Sequence, residues 1–508
     1  MTPLTPAEVA AVVGGALHRP DGPAGTDGPD VTEPGALTGP AATDSRVVVP
    51  GGLFVARRGE HADGHDHVPA AFAAGAALAL VARPVTGADG VLVGPQVVVE
   101  DVQAALEALA HATVERLRAD GTVVVGLTGS AGKTTAKDLL AVLLGALGPT
   151  TATPMSYNGE VGLPLTVLAA TEETRFLVLE MGARGAGHIA ALCRVARPDV
   201  AVVLNVGQAH VGEFGSVDAV ERAKGELPEA VGADGTVVLD VDDERVARMA
   251  ARTTAQVLPV RAQGSGTGAL VWATDVDLDP AGRATFRLHS RLGIPAGAQP
   301  RSADVALRLV GEHNVANAVA AAAVALRLGL PLERTADLLS TTGPASRYRM
   351  EVTERADGVT VVNDAYNANP ESVRAALKAL VAMRRGPDGR ERRTWAVLGE
   401  MLELGAAATA EHDLVGRLAV RLNVSHLVAV GEGARAVHSG AQHEGSWGDE
   451  VVHVADVDAA LALLREELRP GDVVLVKSSN GAGLRHLGDA LVADSPPAAA
   501  ATQEGAPC

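Results

Sequence analysis

Aromatic side chains are scarce: three Trp, three Tyr and five Phe, 2% of 508 residues. The cores must therefore be assembled from Ala, Val and Leu, and at 47% apolar content there is enough of these for about two to four domains. Cysteine is almost absent. Cys193 and Cys508 are the only two and have no metal-ligand spacing, which excludes a disulfide framework and fits a reducing, cytoplasmic compartment. Positive charge is also in short supply, 43 Lys and Arg against 61 Asp and Glu, net -18. Nucleic acid is thereby excluded as a main partner, because backbone binding needs clustered cations. An acidic protein can still hold small anions with local cations and helix N-termini. Long apolar runs are missing too. Ala70 to Val81 is too short to cross a bilayer and reads as an Ala-rich helix running into a strand. Met1 to Val13 has no basic stretch ahead of an apolar core, so neither a signal peptide nor membrane insertion is expected.

The pattern along the chain is α/β. Gly14 to Pro40 is rich in Gly, Pro and Asp and reads as loop. Thr122 to Leu127 is a β-branched strand, followed by a Gly-rich turn and a helix from Lys133 to Leu144. Buried parallel strands are expected at Phe176 to Glu180, Val200 to Asn205 and Thr236 to Leu239, giving a doubly wound core. Val271 to Leu278 and Ala284 to His289 flank Asp279-Pro280-Ala281-Gly282 as a hairpin, and Val305, Leu307 and Leu309 mark a half-buried strand. An Ala-rich helix spans His313 to Leu328, and Thr341 to Ser346 reads as a linker. Strands at Val359 to Asn363, Trp395 to Gly399, Leu427 to Gly431 and Val473 to Lys477 form a further α/β unit, and the tail after Asp494 reads as disordered.

Gly129-Ser130-Ala131-Gly132-Lys133-Thr134-Thr135 lies between a strand and a helix. Glycines let backbone N–H groups turn in around an oxyanion, the helix N-terminus adds positive potential, Lys133 reaches the outer phosphates, and Thr134 can place a hydroxyl on Mg²⁺. The usual spacing wants Gly at position 127, where this chain has Leu127. Glu180 closes a buried strand at the rim where ligands bind in such folds, and a carboxylate there can hold Mg²⁺. His210 follows the next strand on the same rim. Lys224 is by default a solvated helix residue.

Taken together these residues resemble the Mur ligase family, which builds the stem peptide of peptidoglycan. Thr128-Gly129-Ser130-Ala131-Gly132-Lys133-Thr134-Thr135 looks like that family's phosphate loop, shifted glycine included, and the resemblance spans nearly the whole chain. It implies an N-terminal uridine-nucleotide-binding α/β domain (1–115), a central P-loop doubly wound ATPase domain (116–343), a C-terminal Rossmann-like domain (344–494) and the tail (495–508). It places Ser45 and Arg46, in Asp44-Ser45-Arg46, together with Asn158 and Glu160 on the uridine-linked substrate. Glu180 and His210 fall on metal positions, and Lys224 on a carbamylated lysine that bridges to a second Mg²⁺. Asn317, of His313-Asn314 and Asn317, faces the adenine, and Arg347 and Asp364 lie on the ATP side. Within the family, Asp364-Ala365-Tyr366-Asn367-Ala368-Asn369-Pro370 points to D-alanyl-D-alanine, contacted by Tyr366, Asn367 and Asn369, with UDP-N-acetylmuramoyl-tripeptide as its partner substrate. Asn480 stands where the family often has Arg. The implied reaction is ATP-dependent amide formation through an acyl phosphate, by a monomer. The competing readings are a diaminopimelate- or lysine-adding ligase or a folylpolyglutamate synthase, a P-loop kinase or switch, and a nucleotide-binding scaffold. Asp44-Ser45-Arg46 disfavours the folate enzyme, and Asn367-Ala368-Asn369 the tripeptide-forming ones.

Overall fold

The computed structural model describes residues 2–20, 36–59, 62–207, 211–295, 297–386, 389–445 and 448–494. Gln208 to His210 and the tail lie outside them, so the expectations for His210 and for the tail have no structural counterpart. The described strands form three sheets, of five, nine and six strands in chain order.

The first sheet runs Ala16–His18, Gln96–Val98, Leu78–Val81, Leu53–Val55, Ala41–Ala42, and only its first pair is antiparallel. Ala16–His18 corrects the expectation of loop from Gly14 to Pro40. Gly14, left-handed at φ 64°, closes the helix Pro6–Val13 and turns the chain into this edge strand. Three residues at an edge carry too little pattern to stand out in a Gly- and Pro-rich stretch. Ala70 to Val81 divides as expected into a helix end, Val68–Ala73, and the strand Leu78–Val81.

In the second sheet the order is Arg301–Val310, Arg283–Ser290, Val271–Leu278, Gln256–Arg261, Thr236–Asp240, Val200–Val203, Val123–Thr128, Phe176–Glu180, Thr150–Ala152. The last seven are parallel, and the hairpin strands at the other end are antiparallel. Val123–Thr128 has Phe176–Glu180 on one side and Val200–Val203 on the other, with Leu127 opposite Glu180 and Thr128 opposite Val203. The chain steps one way from this strand and later returns to its other side. The phosphate loop therefore leaves from the switch point, where the flanking strand ends splay and leave a crevice.

Helices cover both faces. Lys133–Gly145 and Asn314–Arg327 share one apolar cluster with the sheet, and Val102–Ala119, Gly162–Ala169 and His188–Val195 share the other. Ala320 to Ala323 are essentially inaccessible. With methyl groups in place of rings, this helix lies close against the P-loop helix, and enlarging those side chains would cost about 1–3 kcal/mol in overpacking. The second cluster also contains Leu53, Leu78, Leu80 and Val97, so Val102–Ala119 packs the first sheet and the second into one continuous core. That helix runs through residue 115.

The third sheet runs Glu351–Glu354, Thr360–Asn363, Val473–Lys477, Thr394–Leu398, His426–Val430, Val451–Val454, parallel except for its first pair. Its central strands end at Asn363, Lys477 and Leu398, so Asp364 to Pro370 leaves from its carboxyl rim. No described helix is long and apolar enough to cross a membrane.

Candidate active site

Gly132 is left-handed at φ 79° and opens the helix Lys133–Gly145 with no side-chain cap. The first-turn N–H groups of that helix thus have no intrahelical partner and are free for an anion. Only glycine fits at Gly132, because a Cβ would stand 2.2 Å from Asn317 Oδ1. Asn317 is held there by donating from Nδ2 to Asn314 Oδ1 at 3.0 Å. Asn205 fastens the other end of the loop. Its Oδ1 accepts from Ala131 N at 2.9 Å, its Nδ2 donates to Ala131 O at 3.2 Å, and its own carbonyl accepts from Ser130 N at 3.1 Å. Ser130 Oγ in turn accepts from Gly207 N at 2.8 Å. Lys133 arches back so that Nζ donates to Gly129 O at 2.9 Å, and Thr135 lies half-buried in the helix's first turn.

Glu180 is 1% exposed, which excludes a mere surface helix cap. Its Oε2 accepts from Thr134 Oγ1 at 3.0 Å and its Oε1 from Asn158 Nδ2 at 2.7 Å, while Ser156 Oγ lies 3.1 Å from Thr134 Oγ1. Lys224, at the end of the helix Val217–Lys224, is 4% exposed and not solvated. Its ammonium nitrogen makes no hydrogen bond or ion pair with a described residue. Burial drives its pKa well below the ordinary lysine value, and the charge of Lys133 pushes the same way. Lys133 is lowered by its protein surroundings, an effect opposed by Glu180 and reinforced by Arg349. It keeps part of its surface open to solvent, as a residue in a cleft wall does. Lys133 and Arg349 thus place two cationic side chains beside the Glu180 carboxylate, an electrostatic excess suited to phosphate.

Arg349 comes from the start of the third sheet's unit. Its Nη2 reaches Ser156 Oγ at 3.1 Å and Thr134 Oγ1 at 3.4 Å, and its guanidinium lies 4.6 Å over the Tyr366 ring. Arg347, expected on the nucleotide side, does not join this cluster. It pairs with Asp489 at 2.7 Å and Glu351 at 3.6 Å and is largely exposed. Tyr348 and Met350, both left-handed, turn the two arginines to opposite sides. Arg349 was missed because the chain offers two arginines two residues apart and only backbone handedness tells them apart. Asn205 was missed because nothing in an Asn after a strand announces a bidentate amide clamp.

On the facing rim, Asp364 Oδ2 accepts from buried Lys477 Nζ at 2.5 Å, and Asn367 O from the same ammonium at 3.0 Å. Burial lowers the Lys477 pKa while Asp364 raises it. His313 is lowered in the same way by its surroundings, against the pull of Asp364. Asn369 caps the helix Pro370–Ala382 and its Nδ2 reaches Ser130 O at 3.5 Å, so the two rims meet across the phosphate loop. Asn367 is exposed and Tyr366 half-buried beside them.

The residues expected on the uridine substrate are not gathered in one place. Ser45 opens a 3-10 turn, Arg46 forks onto Asp44 at 2.7 Å in the open, and Asn158 serves Glu180. Glu160 is exposed, 3.8 Å from Arg57. Asn480 accepts from Arg485 and stands apart from this cluster.

The fold and site define a P-loop nucleotide-binding α/β protein whose phosphate loop faces a second Rossmann-like unit. Residues 42–122 match the Mur ligase family catalytic domain, 127–325 the Mur ligase middle domain, and 348–480 the Mur ligase glutamate ligase domain. The chain is 49% identical to a UDP-N-acetylmuramoyl-tripeptide–D-alanyl-D-alanine ligase of Mycobacterium tuberculosis, covering 97% of this chain and 98% of that one. The protein of the same name from Escherichia coli is 33% identical, over 88% and 92%. Among solved structures, MurF from Acinetobacter baumannii superposes with a TM-score of 0.80 at 30% identity, covering 97% of this chain and 100% of that one. MurF ligase from Thermotoga maritima in complex with ADP gives 0.72 at 27%, covering 89% and 97%. The chain belongs to the Mur ligase family.

Proposed function

We propose that the chain joins D-alanyl-D-alanine to UDP-N-acetylmuramoyl-tripeptide with ATP, giving the UDP-linked pentapeptide, ADP and phosphate in peptidoglycan synthesis. The observation that carries this reading is the meeting of a phosphate loop, ringed by Lys133, Lys224 and Arg349, with the Tyr366–Asn369 rim. Full-length similarity to ligases of that name supports it.

In the first step a substrate carboxylate oxygen attacks the γ-phosphorus, the bond to the β,γ-bridging oxygen breaks, and ADP leaves. Two anions must approach, and at about 4 Å and an effective dielectric near 20 each unit pair costs about 4 kcal/mol. Lys133 and Arg349 offset that repulsion, and the P-loop N–H groups hold the phosphates in line. In the second step the dipeptide amine attacks the acyl carbon, the acyl carbon–oxygen bond breaks, phosphate leaves, and the nitrogen gives up a proton. Asn367 and Asn369 orient that amine, and the two rims exclude water from the acyl phosphate.

Hard oxygen donors converge at Thr134 Oγ1 and Glu180 Oε2, 3.0 Å apart. Among the described residues no three His, Cys, Asp or Glu side chains form a metal cluster. That donor set suits Mg²⁺ completed by phosphate oxygens better than a softer ion. Thr134, Glu180, His210 and Lys224 would hold it. A buried neutral Lys224 amine is nucleophilic toward carbon dioxide, and the carbamate formed, with loss of a proton, would add anionic oxygens. Mg²⁺ supplies positive charge to the phosphate oxygens.

The assignments of Ser45, Arg46, Asn158 and Glu160 to the uridine substrate, and of Asn317 and Asp364 to ATP, belong to this proposal. So do domains at 1–115, 116–343 and 344–494, a cytoplasmic location and a monomeric state. Purified protein with UDP-N-acetylmuramoyl-tripeptide, ATP, Mg²⁺ and D-alanyl-D-alanine should release phosphate only when the dipeptide is present. Release driven by diaminopimelate or lysine on the dipeptide substrate instead would overturn the assignment.

A further inference from the structure

Lys137 is a charged side chain with 3% exposure, in a helix whose other buried residues are almost all apolar, and the chemistry above does not use it. A buried ammonium is retained only if its donors are satisfied. Nζ donates to Thr153 O at 2.9 Å, reaches Met155 O at 3.5 Å, and pairs with Asp138 Oδ1 at 2.6 Å. Lys137 lies one helical turn beyond Lys133, and its two carbonyl acceptors belong to the segment after the edge strand Thr150–Ala152.

That segment carries much of the site's wiring. Thr153 Oγ1 accepts from Glu180 N at 3.0 Å, Ser156 Oγ meets Thr134 and Arg349, and Asn158 holds Glu180 Oε1. Met155 is left-handed at φ 50°, a strained conformation for a side chain of that size. Met155 and Tyr157 are 52% and 47% exposed, so apolar packing of those two side chains does not fix the segment. The Lys137 ammonium holds the segment by its backbone carbonyls, whereas Arg349 and Glu180 meet it at the side chains of Ser156 and Asn158.

We propose that Lys137 is a positioning residue. It ties the 153–158 segment to the P-loop helix, so that Ser156 and Asn158 hold Thr134 and Glu180 in register and the segment forms the wall against which the muramoyl-peptide carboxylate meets the γ-phosphate. The proposal rests on the ligase reading for its substrate but on the contacts above for its geometry.

Lys137→Met keeps the stem and removes the ammonium, and Lys137→Arg keeps a cation able to reach the carbonyls. In Lys137→Met, kcat should fall about tenfold or more and KM for UDP-N-acetylmuramoyl-tripeptide should rise several-fold, because small misplacements of reacting groups are costly. The Kd for ADP without divalent cation should stay within about twofold, since the P-loop backbone is untouched. Lys137→Arg should restore most of the loss. Amide hydrogen exchange over 153–158, which needs no substrate, should rise in Lys137→Met and recover in Lys137→Arg. Unchanged exchange there would overturn the proposal, and so would equal weakening of ADP and peptide binding. A wild-type protein without dipeptide-dependent turnover would sink the ligase reading instead, and the exchange result would still decide for or against Lys137.

Discussion

Asp240 ends the strand Thr236–Asp240 on the same carboxyl rim as the phosphate loop, 8% exposed, and its pKa is pushed up to about 7 from 3.8. Burial is the main cause. The hydrogen bond from Asp242 N, 3.1 Å from Oδ1, pulls the other way, and the charges of Asp242 and Asp243 add to the rise. The folded state binds this proton more tightly than the unfolded chain does. Its stabilising effect is therefore complete below pH 4, declines as pH rises toward 7, and is gone above that. The shift corresponds to about 4 kcal/mol as a ceiling at 1.36 kcal/mol per unit. Asp240→Asn has no proton to lose and keeps an oxygen to accept from Asp242 N. It should match the wild type in urea unfolding near pH 4 and exceed it by about 2–4 kcal/mol at pH 8, with the difference opening between those values. A difference independent of pH would refute the reasoning, because it would mean that the carboxyl ionises at its ordinary pKa or that the substitution acts through packing. The sign also bears on the site: below pH 7 the protonated carboxyl adds no negative charge to the phosphate crevice, and above it the carboxylate does.

The two arginines after the linker, Arg347 and Arg349, separate cleanly. Arg349→Ala should lower kcat by about a hundredfold, the scale of losing one donor to developing charge, whereas Arg347→Ala should leave kcat within about twofold and cost no more than about 1 kcal/mol in a denaturant melt. The reverse ranking would return the nucleotide role to Arg347. Gly132→Ala forces a left-handed residue, worth about 1–2 kcal/mol, and drives its methyl into Asn317. ADP affinity measured by calorimetry should drop with little change in the far-ultraviolet spectrum. Asp364→Asn leaves the Lys477 ammonium buried without its carboxylate, and urea unfolding should register a loss of about 3–5 kcal/mol.

Much of this site could be read from spacing, because strand ends and Gly-rich turns advertise themselves. Val123–Thr128 followed by Gly129 to Thr135 is a period-independent apolar run stopped by glycine, and the helix behind it begins where expected, at Lys133. Glu180 was legible as the last residue of a buried strand. Lys224 was not, since a lysine in Ala-Lys-Gly-Glu looks solvated until the helix is turned so that its buried side carries Val220, Ala223 and Lys224. The strand Gln256–Arg261 escaped notice for another reason. Pro259 interrupts its apolar run, yet its carbonyl still accepts from Leu270 N at 2.8 Å. Val451–Val454 is a half-exposed edge strand of four residues with no alternation to detect. The direction of Arg347 and Arg349 depends on positive φ at Tyr348 and Met350, which residue type alone does not announce.

The two facing rims solve different electrostatic problems, and that asymmetry argues for the order of the proposed reaction. At the phosphate loop Lys133 and Arg349 outnumber Glu180, so the first rim is completed by anions: a triphosphate and a carboxylate. At the second rim Lys477 is already committed to Asp364 and to Asn367 O, and Arg349, over the Tyr366 ring, is turned to Thr134 and Ser156, so Asn367, Asn369 and Tyr366 present oriented dipoles beside two engaged cations. An unengaged cation there would repel the ammonium of an incoming dipeptide, whereas neutral amides can hold it and let its proton go. Phosphoryl transfer is thus assigned to the rim that can carry negative charge, and amine attack to the rim that does not oppose positive charge. Asn369 and Arg349 cross between them, at Ser130 O and at Thr134 and Ser156. Separating the rims would withdraw Arg349 from Thr134 and Ser156 and Asn369 from the loop in one motion, which in the proposed reaction would open the acyl phosphate to water.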